Sequence, residues 1–405
     1  MGLLRWGGSP KDRFARQVLR AVRATGRVSE AGYNADDFSI AYQIAGDATG
    51  GGHIYLENTF RETEGLSSRE QGERIQRLVT AVVSSSTAEH TWEQARPRLR
   101  PVLRGVSFGA GVGDVQNAIL SRPAMPFLME AVVVDEPTSM AYVTRVRLTD
   151  WGVSEDEVFA TARANLAAAA GRIDGPAANG PALLRFVDTG DAYFTSMLLV
   201  DGFLARLGHR VGGRPVAFVP DRDTLVVGSD APTVLLGLYE LVAGQYTQAN
   251  RSVSPVGYTV DDRGAVVPYA TAPGTALAAA VHRAEVLLAA SQYSAQKEAL
   301  DAQHERDDID IFVASLLIAE PQDEPVFSIA VWSQDVDTLL PQADLIRFQP
   351  TDPDAASTAM TVPFDVVARE AALVAEPDYT PPRYRVTAWP GEPTIARLRG
   401  HAVNL

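Results

Sequence analysis

Residues 275 to about 305 read as one helix of roughly 30 residues, about 45 Å long at about 1.5 Å per residue. This element divides the chain more firmly than any other feature. Its first half is apolar, and its second half, SAQKEALDAQHERDD, is polar. A helix of that kind crosses between domains or packs along only part of its length. The 405 residues suffice for two or three domains on length alone. The expected divisions are 1–88, 89–270 and 271–405, the last opening on the long helix.

Ahead of that helix, helical and strand-like runs alternate. Ser9 caps a helix to about residue 25, Pro10 suits its first turn, and Phe14, Val18 and Val22 recur at four-residue spacing. Arg13, Arg16, Arg20 and Arg23 occupy its other face, which reads as solvated. Residues 38–44 and 53–58 flank the turn GDATGGG as a hairpin. Ser67 and Glu70 form a capping box for a helix to about 83, and Ser154 and Glu157 form another. Residues 127–134 and 183–187 read as strands, and 193–207 as a helix. A hairpin turns at Pro220-Asp-Arg-Asp223 between 215–219 and 224–227. A helix over 232–248 turns Leu235, Leu238, Tyr239 and Val242 inward, and a last hairpin turns at 261–264. Beyond the long helix, 309–318 and 326–332 read as strands. The fold class is therefore α+β, with mixed or antiparallel sheets and packed helices.

Composition removes several chemistries. The chain has no cysteine, so disulfides, thiolate nucleophiles and cysteine-ligated metal sites are excluded. Lys11 and Lys297 are the only lysines, which leaves a Schiff-base or P-loop lysine almost nowhere to sit. The net charge of −14 opposes nucleic acid, whose binding depends on cationic side chains releasing counterions. No apolar run approaches the ~20 residues that cross a bilayer. The start, MGLLRWGGSPKDRF, has no apolar signal region, so the expected location is the cytoplasm.

The segments IYLENTF (54–60), RPVLR (100–104), VVDEPTSMAYVT (133–144), DWGVSEDEVFATARANL (150–166) and FVPDRDTLVV (218–227) resemble, in order and spacing, the YtpQ-like family of uncharacterised bacterial proteins. The resemblance covers roughly residues 10–270, and the remaining ~135 residues would be a C-terminal addition. Two positions depart from the family's pattern. Asp221 stands where the family carries asparagine, and the helix start near Ser196 lacks a neighbouring arginine. The resemblance implies a shared fold and supplies no catalytic residues.

Four aspartates form the leading candidate site: Asp188 and Asp191 at a strand exit, and Asp221 and Asp223 at a hairpin tip that can approach them. Clustered carboxylates bind hard cations such as magnesium or divide acid and base roles, although aspartate is also ordinary in turns. Arg104 and Asp135 are a candidate anion site or a structural ion pair. His53, Tyr55 and Glu57 share one strand face by alternation, most simply an exposed one. The run 105–114 is rich in glycine, but Asp114 stands where a dinucleotide fingerprint needs glycine, so a loop is expected. The six histidines show no spacing for a zinc site. The expected function is a non-enzymatic binding or adaptor protein, with a protein partner or a small ligand and no cofactor. The alternative is a metal-assisted hydrolase using the aspartates.

Overall fold

The computed structural model describes residues 9–34, 38–45, 51–85, 91–110, 119–136, 139–171, 173, 180, 182–188, 193–249, 251–322, 325–351 and 359–404. Contacts divide the chain into two compact units, one of residues 1–100, 132–143 and 147–165, the other of 101–131, 144–146 and 166–405.

The first unit opens with helix α1 (Pro10–Ala24), capped by Ser9, whose hydroxyl accepts from the Asp12 amide while the Asp12 carboxylate accepts from the Ser9 amide. Strands β1 (Val28–Asn34), β2 (Ser39–Ile44) and β3 (Gly51–Tyr55) make an antiparallel meander in that order. Helices α2 (Glu57–Thr63) and α3 (Ser68–Ser85) follow, α3 capped by Ser67 and Glu70 as the sequence suggests. Phe14, Val18 and Val22 of α1 meet Ile40, Ile54, Leu56, Ile75 and Val79 in one apolar cluster. The strand expected over 53–58 stops early. Leu56 takes right-handed helical backbone angles and its carbonyl accepts from the Phe60 amide at 2.8 Å, so Glu57 begins a helix. It therefore shares no strand face with His53 and Tyr55.

The second unit takes in most of β4 (Leu99–Gly105), all of β5 (Ser121–Met125) and the start of β6 (Leu128–Glu136); the rest of β6 and β7 (Ser139–Tyr142) belong to the first. Helix α4 (Glu155–Ala170), which belongs to the first unit as far as Asn165, opens on the Ser154 hydroxyl, which accepts from the Glu157 amide. An antiparallel five-stranded sheet then runs in the order β12-β11-β9-β10-β8, built from β8 (Leu183–Val187), β9 (Pro215–Asp221), β10 (Thr224–Ser229), β11 (Ser252–Val260) and β12 (Val266–Pro268). Helix α5 (Pro232–Gln248) covers it through Leu235, Leu238, Tyr239 and Val242. The helix expected over 193–207 is broken instead. Tyr193 and Gly202 both hold positive φ, leaving a 3-10 turn over Phe194–Leu199 and a short helix, Phe203–Arg206.

The long helix α6 (Ala276–Asp307) is present, with Thr275 as its cap. It packs on α5 and β11 and also on strands that follow it. Those are β13 (Phe312–Val313), β14 (Leu317–Ala319), β15 (Phe327–Ser333), β16 (Thr338–Pro341), β17 (Leu345–Gln349), β18 (Met360–Pro363) and β19 (Arg383–Val386). They form two mixed sheets, β13-β16-β19 and β14-β15-β17-β18, with parallel pairs β13–β16 and β15–β17. Helices α7 (Phe364–Glu370) and α8 (Glu392–Arg399) close the apolar cluster of Trp332, Phe348, Val362, Ile395 and Leu398. The strand expected over 309–318 is split between the two sheets. At the split, the Ala314 carbonyl accepts from Arg383 Nη1 at 2.8 Å. Among the described residues no helix is long and apolar enough to cross a membrane.

The polar half of α6 buries one face, through Gln296, Leu300 and His304, next to buried Gln292 and Tyr293. Hydrogen bonds add to the apolar contact that Leu300 makes with Val313 and Leu339. Gln292 Oε1 accepts from the Ser107 amide and hydroxyl at 3.0 and 2.8 Å. Arg383, fully buried, donates to Gln296 Oε1 and to the carbonyls of Ala314, Leu339 and Tyr293. Burial lowers its guanidinium to about 10. A buried charge is tolerated where such hydrogen bonds satisfy it.

Candidate functional site

Three of the four candidate aspartates lie among the described residues; Asp191 lies outside them. The hairpin tip does approach the exit of β8, because the Asp188 amide donates to the Asp223 carbonyl at 2.6 Å. Their carboxylates, however, face protein donors. Asp188 Oδ2 accepts from the Tyr193 amide at 2.5 Å. Asp221 accepts from the Asp223 amide at 2.9 Å and from Gln245 Nε2 at 2.8 Å. Asp223 pairs with Arg251 at 3.0 Å. These are the bonds of a capped turn and a tied hairpin. Among the described residues no group of three or more metal-ligating acids and histidines converges.

Arg104 is buried; its Nη1 donates to the Leu103 carbonyl at 2.7 Å, and its guanidinium lies 5.7 Å from the centre of the Phe108 ring. Arg222 lies 5.1 Å from the same ring. Asp135 sits on β6 opposite Met140 and belongs to the other unit. Of the glycine-rich run, residues 111–114 lie outside the described residues.

A different constellation forms in the second unit. A cavity of about 390 Å³ opens between α6, β11, the β5–β6 turn and the strands β15 to β17. Phe127, Val256, Val286, Leu288, Ala289 and Ala343 contribute most of its apolar wall. Its polar end gathers His282, Glu285, Ser328 and Asp344. His282 and Glu285 are three apart on α6 and so share a face. Ser328 enters β15 and Asp344 immediately precedes β17, and the parallel pairing of these strands sets the two side by side. Ser328 donates to Asp344 Oδ2 from its amide at 2.6 Å and its hydroxyl at 2.7 Å. Its hydroxyl oxygen accepts in return from the Asp344 amide at 2.9 Å.

His282 Nε2 lies 3.2 Å from Asp344 Oδ2, and Nδ1 lies 3.9 Å from Glu285 Oε2. The Asp344 carboxylate, then the Glu285 carboxylate 3.9 Å away, pushes the imidazole up to about 10, against the opposing effect of burial. Burial alone would raise the Asp344 carboxyl; the bonds from His282 and Ser328 outweigh it and hold the group below its usual value. The ring is thus an imidazolium between two carboxylates.

Serine, histidine and aspartate meet here without making a nucleophilic triad. A triad needs the imidazole between serine and carboxylate, with a nitrogen lone pair free to take the hydroxyl proton. Here the hydroxyl donates to the aspartate, and both imidazole nitrogens face carboxylates.

Phe127 supplies the cavity with an aromatic wall at a backbone cost. It holds φ of 61° in the turn joining β5 to β6, the left-handed region that bulky residues avoid. The Val106 amide donates to its carbonyl at 3.0 Å, and its ring meets Tyr293 edge-on at 6.0 Å. Strain of this sort persists where surrounding contacts enforce it, and ligand sites are one place it collects.

None of these groups carries a local sequence signature. The spacing of His282 and Glu285 was visible on a helix, but their partners come from strands more than forty residues on. Comparison with protein-family models, with curated proteins and with solved structures returns no match.

Proposed function

We propose that this chain is a binding protein for a small organic ligand, held in the cavity beside α6, without catalysing its conversion. The observation that carries this reading is the cavity itself: an apolar wall with one convergent polar end, at the volume that small-molecule sites have. The imidazolium locked between Glu285 and Asp344 supports binding over general-base chemistry, because it has no lone pair to accept a proton. The cysteine-free, acidic composition suits a cytoplasmic setting without nucleic acid. The YtpQ-like resemblance is compatible with this role and brings no activity of its own.

Metal-assisted hydrolysis at the aspartates is the second reading, and it draws less support. Asp221 and Asp223 are engaged by Gln245, by backbone and by Arg251, contacts a bound cation would have to displace.

A thermal-shift screen of small organic molecules tests the first reading. A ligand at a hundredfold its dissociation constant adds about 2.7 kcal/mol to stability, a visible rise in the midpoint. Ala289→Trp, which fills the cavity, should abolish that rise. No shift from any compound, or a shift that survives Ala289→Trp, would remove the reading, as would turnover of a bound compound.

A further inference from the structure

We infer that the ligand of this cavity is an organic cation, an ammonium or guanidinium head on an apolar body. The inference rests on the ligand-binding reading and adds the chemical class. Its basis is the set of acceptors that the protein leaves open at the polar end. Every described hydrogen bond or ion pair to the Asp344 carboxylate goes to Oδ2, which leaves Oδ1 with no donor among the described residues. The only described partner of Glu285 is His282 at 3.9 Å, beyond direct hydrogen-bond length. Glu285 is about half exposed, its side chain at 48%, at the rim of the cavity.

The donors at that end are few. Both imidazole nitrogens face carboxylates and the Ser328 hydroxyl is given to Asp344. No lysine or arginine is among the lining residues. Two carboxylates against one imidazolium leave one negative charge in excess. An anionic head would meet repulsion from two carboxylates, with only the imidazolium Nδ1–H turned toward it. A neutral head would satisfy some acceptors without neutralising the charge. A cationic head with several N–H groups does both, through charge-assisted hydrogen bonds stronger than neutral ones.

Calorimetric titration of the full chain at pH ~7 with three probes of matched size tests this: phenethylamine (a cation at that pH), 2-phenylethanol and 3-phenylpropionate. Phenethylamine should bind at least about tenfold more tightly than the alcohol, and the propionate most weakly, in line with the strength of charged hydrogen bonds. Glu285→Gln, at a half-exposed position on the rim, should weaken phenethylamine about tenfold and the alcohol by much less. Equal or tighter binding of the alcohol or the propionate overturns the cation assignment and leaves the binding reading standing. Unchanged phenethylamine affinity in Glu285→Gln also overturns it. If none of the three binds and the thermal-shift screen is likewise empty, the binding reading fails and this inference with it.

Discussion

His282 shows most clearly how the environment of one residue sets its chemistry. Its imidazole has an ordinary value of 6.5 and is raised to about 10 in the folded protein by Asp344 and Glu285. A group whose folded value is raised contributes stability that is complete below the unfolded value and is lost as pH climbs through the folded one. The contribution of His282 should therefore be full below about pH 6.5 and fade up to about pH 10. The gap in unfolding midpoint between the native chain and His282→Gln measures it. That gap should be wider at pH ~6 than at pH ~10; a constant gap would mean that the imidazole is not held as a cation. The half-exposed position of the ring keeps the effect modest, since solvent screens its partners.

At the scale of elements, α6 and Arg383 depend on each other. The helix shows its apolar face in the sequence, but its later turns are buried through Gln292, Gln296 and His304, which no apolar periodicity announces. Patterning predicts partial packing for such a helix, and its polar half does bury only one face, where Ser107 bonds Gln292 and Arg383 bonds Gln296. Arg383→Met would strip a donor from Gln296 Oε1 and from three buried carbonyls, of which that of Leu339 keeps the Ala314 amide. Buried acceptors left unmet cost about 1–3 kcal/mol each at most sites, and the expected loss is about 3–5 kcal/mol in total. Urea unfolding measures it, and Arg383→Lys should recover only part, since an ammonium cannot span the guanidinium's fork. A loss under about 1 kcal/mol would mean that these bonds do not seat the helix. Other elements were legible because their signals are local. Ser9, Ser67 and Ser154 all cap the helices expected of them, and the turn at Asp261 to Gly264 joins β11 to β12. The breaks were illegible because they are set from a distance. The split at Ala314 depends on Arg383, nearly seventy residues later in the chain.

At the scale of the whole molecule, α+β architecture follows from sequence patterning, and the cavity does not. Its lining comes from six stretches of chain between Pro126 and Asp344, and only the long helix and the parallel pairing of β15 with β17 bring the polar groups together. The aspartates drew attention because they are near one another in sequence; turn geometry and side-chain partners account for the three described. Ligand occupancy of the cavity is the central claim, and methyl-detected magnetic resonance of the alanine- and valine-labelled chain titrated with phenethylamine tests it most directly. The account predicts saturable shifts concentrated at Ala289, Ala343, Val256 and Val286, the labelled methyl groups that line the cavity. Shifts scattered over other methyl groups while those four stay still would contradict it.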